Sequence, residues 1–194
     1  MHAIEDHKRI IALLKHEVVP AMGCTEPVAV ALCAARAAEL LGTLPERVKV
    51  ELSMNVLKNA MGVGIPGTGM IGLPIAIFLG MRIGKSSYGL EVLKDNHAQA
   101  VEEGKQYIEE GRISIALDEN APDGLYIKVH AEGDGRTSEA IICGEHTRFI
   151  YEAIDDEVLR KEDVKARASE EHDEPTLTMS KIYDFVTQTP IEEI

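Results

Sequence analysis

Residues 28–41 read Val-Ala-Val-Ala-Leu-Cys-Ala-Ala-Arg-Ala-Ala-Glu-Leu-Leu, and almost every side chain in the run is small and apolar. Alanine is the strongest intrinsic helix former, and its size lets helix axes approach closely. A helix with so little polar surface has to be buried on nearly all sides. The run therefore predicts a central helix, with Arg36 and Glu39 on its one wet edge and Gly42 as its stop. The rest of the chain has to be arranged around it.

An amphipathic helix is expected over residues 3–17, ended by Pro20, and residues 47–54 alternate with period two as a strand with one buried face. Eight of the 16 glycines then fall between Gly62 and Gly89, and the segment Gly62–Gly69 is too glycine-rich for regular structure. A small-residue helix over about 71–79 and a longer amphipathic helix over about 90–110 follow. Strands at 112–118, 124–131 and 137–143, separated by Asp123-Gly124 and Gly133-Asp-Gly135, read as an antiparallel meander. Residues 152–175 carry ten acidic against four basic side chains and read as a solvated helix running into a linker, before a last amphipathic piece from Leu177 to Pro190. The expected fold class is α/β: N-terminal small-residue helices and a compact α+β subdomain with an antiparallel sheet. The expected divisions are 1–89, 90–150 and 151–194, the last being an acidic linker and the start of a further half.

Composition narrows the partners. With 20 Lys and Arg against 33 Asp and Glu the formal net charge is -13, which repels phosphodiester backbones and anionic membrane surfaces. The apolar runs are too short and too interrupted by Gly and Pro to span a bilayer, and the N-terminus lacks the order of a secretory signal. Three cysteines with no CxxC pair give no disulfide framework, so a reducing cytoplasm is the expected compartment. Tryptophan is absent and aromatics number eight, so aliphatic side chains must fill the core.

Three stretches carry chemistry. In Gly23-Cys24-Thr25-Glu26-Pro27, Thr25 reads as an N-cap, with Glu26 and Pro27 in the first turn. Cys24 then lies at the positive end of a helix dipole, which favours a thiolate that serves as nucleophile, base or metal ligand. The competing reading is an inert cysteine beside a cap, and Cys33 and Cys143 read as core packing. The second stretch joins Lys58 and Asn59 to the glycine loop. Gly62-x-Gly64-x-x-Gly67 matches a dinucleotide fingerprint literally, but the strand ends too early and Pro66 removes an amide; Thr68 stands where a Walker lysine belongs. What remains is a nest of backbone N–H groups for a small carboxylate at Gly64, Gly67, Thr68 and Gly69, or else a tight turn between packed elements. The third is His146, a proton carrier or a backbone hydrogen-bonding group after the meander. The other six histidines show no zinc-ligand spacing.

The segments Gly-Cys-Thr-Glu-Pro, Lys-Asn-Ala-Met-Gly-Val-Gly-Ile-Pro-Gly-Thr-Gly and Gly-Glu-His-Thr resemble the iron–sulfur L-cysteine desulfidase family, related to the alpha chain of iron–sulfur L-serine dehydratases. The resemblance runs in order through the chain, as far as Leu-Thr-Met-Ser-Lys-Ile-Tyr-Asp-Phe near its end. It implies elimination without pyridoxal phosphate, of sulfide from cysteine or water from serine, with ammonia and pyruvate as products. It also implies a [4Fe–4S] cluster in a longer protein whose C-terminal half, absent here, supplies further cysteines. Cys24 would be either a cluster ligand or the proton-abstracting thiolate. Lys58, Asn59 and His146 would assist catalysis, and Glu26, Gly64, Gly67, Thr68 and Gly69 would bind substrate. The expected partners are a small amino acid, the C-terminal half and a possible second copy. A different class also fits the residues: a non-catalytic amino-acid-binding or regulatory module.

Overall fold

A computed structural model of the chain describes residues 2–164 and 175–194, and contacts divide it into two units: residues 21–164, and residues 1–20 with 165–194. The divisions read at 89/90 and 150/151 fall inside the larger unit.

The smaller unit pairs helix α1 (His2–Glu17) with a helix near the other chain end, Met179–Gln188. In the larger unit the alanine-rich run forms α2 (Thr25–Leu41), buried from Pro27 through Ala35 and again at Ala37, Ala38 and Leu41. Gly42 ends it at φ +82°, its N–H bonded to Ala38 O at 2.9 Å. Strand β1 (Arg47–Leu52) leads into a short helix α3 (Met54–Ala60), a two-stranded hairpin of β2 (Gly64–Ile65) and β3 (Met70–Ile71), and helix α4 (Leu73–Ile83). The small side chains of α2 let α4 come so near that a Cβ on Gly80 would overlap the Ala31 carbonyl. Helix α5 (Ala98–Glu109) packs on α4 through Gly104, and its Tyr107 stacks on Phe78 at 5.1 Å and donates to Pro45 O at 2.7 Å.

Strands β4 (Ile113–Leu117), β5 (Tyr126–Gly133), β6 (Arg136–Cys143), β7 (Phe149–Ile154) and β8 (Glu157–Lys161) complete a six-stranded sheet in the order β4-β1-β5-β6-β7-β8. Val48, Val50, Leu52, Ile127, Val129, Ala131, Ala140 and Ile142 share the core with the helices. The alternate positions Lys49, Glu51, Lys128, His130 and Glu139 form a charged lattice on the other face, with Lys49–Glu51 at 2.7 Å and Lys128–Glu139 at 3.3 Å. Helices on one side and charge on the other make a two-layer α/β fold.

Several expectations are corrected. β1 is not apart from the meander: it lies between β4 and β5, parallel to the first and antiparallel to the second, so the sheet is mixed. Residues 152–161 are the end of β7, a turn at 155–156 and β8, not helix. Phe149 and Glu152 of β7 pair with the core residues Ile142 and Ala140, and the buried Glu152 is neutralised by Arg36 at 2.7 Å. Arg36 therefore ties α2 to β7 rather than marking only a wet edge. The remainder of the expected acidic helix, 165–174, lies outside the described residues. The helix expected over 90–110 begins at Ala98, since Gly89 at φ +54° sits in a 3-10 turn (Ser86–Glu91) and His97 caps α5, its Nδ1 accepting from Ala100 N at 3.2 Å.

In the smaller unit Phe185, on α6 (Met179–Gln188), lies 5.0 Å from the His7 ring. His7 shares a hydrogen bond of 2.6 Å with Thr189, and Lys181 pairs with Asp6 at 2.6 Å. Among the described residues no helix is long and apolar enough to cross a membrane.

Candidate functional site

Gly23, at φ +95°, turns the chain into α2, and the residue in the N-cap position is Cys24 (φ −64°, ψ 133°), not Thr25, which is already helical. Cys24 makes no capping bond; its Sγ donates to Glu26 Oε2 at 3.0 Å instead. The Thr25 hydroxyl reaches the same oxygen at 3.3 Å, and Asn59 Nδ2 donates to Glu26 Oε1 at 3.1 Å from the end of α3. Glu26 is therefore a hub that links two segments 33 positions apart in sequence.

The electrostatics reverse one expectation. Cys24 is not eased toward thiolate by the helix dipole: donating to Glu26, together with partial burial, pushes its pKa up. The Glu26 carboxyl is held below its ordinary range, first by the Cys24 hydrogen bond and further by those from Asn59 and Thr25. A carboxylate at contact distance outweighs the partial positive charge of a helix end. At neutral pH the resting pair is a thiol beside a carboxylate. Cys33 and Cys143 are buried, as their packing role requires, and burial pushes both thiols up; Cys33 donates to Ala140 O at 3.3 Å.

The glycine loop is the β2–β3 hairpin. Gly67 (φ +76°) and Gly69 (φ +66°) take backbone conformations that side chains resist, and Gly64 pairs with Ile71. Thr68 N and Oγ1 both bond Ile65 O, at 3.2 and 2.7 Å, and Oγ1 accepts from Met70 N at 2.9 Å. Gly72 N bonds Val63 O at 2.8 Å. Of the amides expected to line an anion nest, Thr68 N is turned into the hairpin, toward Ile65 O.

The hairpin nevertheless lies against the Cys24 turn. A Cβ on Gly23 would stand 3.0 Å from Pro66 Cγ, Met22 N bonds Leu90 O at 3.0 Å, and Asn96 Nδ2 bonds Pro66 O at 3.2 Å. The segment from Leu90 to Asn96 thus braces both motifs. Only the turn-forming Asp95-Asn96 pair before a helix hinted at that part of the site in the sequence.

Lys58 is exposed in the last turn of α3, and among the described residues no hydrogen bond joins it to the Glu26 hub. His146 lies in the turn between β6 and β7, likewise unbonded to that hub. Its end of the fold is nonetheless the right one. Ala37 meets Ser138 and Cys33 meets Ala140, so α2 runs antiparallel to β6 and its N-terminus points toward the turn after Cys143. The C-terminal end of β1, which feeds α3, lies at the same edge because Leu52 pairs with Ile127 and Ile127 with Ile142. A hollow of about 560 Å³ lined by Ser53, Asn55, Asp118 and Asp123 opens at this end; another of about 860 Å³, lined by Arg47, Arg112, His130 and Glu132, contains none of these residues.

The chain is similar along its whole length to UPF0597 proteins, a name that states no activity. The protein of that name from Phocaeicola vulgatus is 57% identical over 194 residues, the whole of this chain and 45% of its own length. One from Bacteroides fragilis is 56% identical over 97% of the chain and 44% of its length, and one from Aeromonas hydrophila 45% identical over 95% of the chain and 42% of its length. The chain therefore spans less than half the length of these relatives. No protein-family profile matches it, and no solved structure matches it.

Proposed function

We propose that the chain is part of an iron–sulfur-dependent, pyridoxal-phosphate-independent lyase of the cytoplasm that acts on cysteine or serine, and that Cys24 and Glu26 handle its protons. Loss of the α-proton and of sulfide or water leaves an aminoacrylate, which water converts to pyruvate and ammonia. The observation that carries the reading is the Cys24–Glu26–Asn59 contact, which joins the two most specific sequence motifs in one place. The bond to Glu26 orients the Cys24 thiol and keeps it protonated at rest. A thiolate forms there only when a stronger base or a metal displaces that proton, and it then serves either as base or as ligand. Asn59 steadies the carboxylate in either case.

The residues described here do not fit a four-iron cluster, which needs cysteine thiolates converging on one point. Cys33 and Cys143 are buried in the core as thiols, and among the described residues no three His, Cys, Asp or Glu side chains are grouped to hold a metal. The cluster's ligands belong to the larger part of the polypeptide that the relatives carry, and that part is a proposed partner of this chain.

The test is pyruvate and sulfide release from L-cysteine by an intact protein of the relatives' length, purified without oxygen. Cys24→Ser is expected to lower turnover by roughly 100-fold or more, and Glu26→Gln by less, with the fold unchanged by circular dichroism. Near-normal turnover in Cys24→Ser overturns the role of the thiol. Amino-acid binding by an intact protein that never turns over favours a regulatory module instead.

A further inference from the structure

Helix α6 shows an unusual surface. Met179, Ile182, Tyr183 and Val186 stand at the i, i+3, i+4, i+7 positions of one helical face, the spacing that normally marks a buried stripe. Here they are 81%, 40%, 70% and 69% exposed, with Leu177 and Ile191 exposed at either end. The opposite side of α6 already has its partner in α1, through Phe185 against His7 and Lys181 against Asp6. The outer stripe is thus a second apolar face, not the inner one misplaced.

Energetics make the same point. Among the described residues of this unit, Ile10 and Phe185 are the large apolar side chains that are buried. A ten-residue helix is marginal in water without tertiary support, and two buried side chains supply little of it. The unit needs a further surface to cover the stripe.

We infer that the Met179–Val186 face of α6 is a docking site for an apolar face of the remaining portion of the longer polypeptide. The occupant follows from length: the similar proteins carry this sequence as only 45%, 44% and 42% of themselves, so most of the chain is available to cover it. The inference does not depend on the lyase chemistry, and it stands or falls on solvent protection alone.

Hydroxyl-radical footprinting read by mass spectrometry tests it, on this chain and on the intact Phocaeicola vulgatus relative. In this chain Met179 and Tyr183 should be oxidised as readily as the exposed Met54 and Met61, with the buried Met81 as the protected control. In the intact relative the positions aligned with 179–186 should be protected by roughly fivefold or more, as for side chains in the core of an interface, while those aligned with Met54 and Met61 stay labelled. Equal labelling in both proteins overturns the inference. So does protection in this chain alone: independent of dilution, it means the chain covers its own stripe; lost on dilution together with a dimer in light scattering, it means a second copy does.

Discussion

At the scale of single residues the decisive fact is that a carboxylate, not a basic group, stands beside Cys24. The sign of the pH effects follows. Folding raises the Cys24 pKa, so the bond to Glu26 contributes fully below the ordinary thiol range and is lost as pH rises through the folded value. Folding lowers that of Glu26, so its contribution is present above the ordinary carboxylate range and is lost as pH falls through the folded value. Between these limits Cys24 should react slowly with iodoacetamide for a half-exposed thiol. Glu26→Gln should move the pH midpoint of alkylation down and speed the reaction at pH 8; peptide mass spectrometry separates Cys24 from the buried pair. An unchanged midpoint would mean that the carboxylate does not control the thiol.

At the scale of elements, the close crossing of α2 and α4 rests on the absence of one methyl group. Gly80→Ala forces a Cβ into the Ala31 carbonyl and should cost roughly 3 kcal/mol, measured by urea unfolding, because neither helix backbone can yield cheaply. Gly42→Ala meets open space but strains a positive φ, and should cost less. The same elements show what the sequence disclosed. α2 was legible because its composition leaves no alternative to burial, and β1, β5 and β6 because they alternate cleanly. β7 was hidden by Glu152, a charge that looks solvent-facing until Arg36 is brought to it across 116 positions. The two halves of the site were each visible as motifs, but no local pattern says that Glu26 and Asn59 touch, and the hairpin's use of its own amides depends on dihedral angles that glycine leaves open. Lys58 and His146 remain candidates by position, with no hydrogen bond to the hub among the described residues.

At the scale of the molecule the two units differ sharply in what they bury. The larger holds the continuous aliphatic core; the described residues of the smaller form two α-helices and include few buried side chains. Unfolding should therefore not be a single cooperative event. Native-state hydrogen exchange is expected to show amides of α1 and α6 opening at lower free energy than those of α2, β5 and β6. Uniform protection across all five would contradict the division.

His7 and Thr189 are 182 positions apart, and the bond between them closes almost the entire chain into a ring. Closing so large a ring costs more entropy than any local pairing, and during synthesis Thr189 emerges long after His7. The α1 helix must therefore wait, exposed to proteases and chaperones, while the segment between the two ends condenses ahead of it.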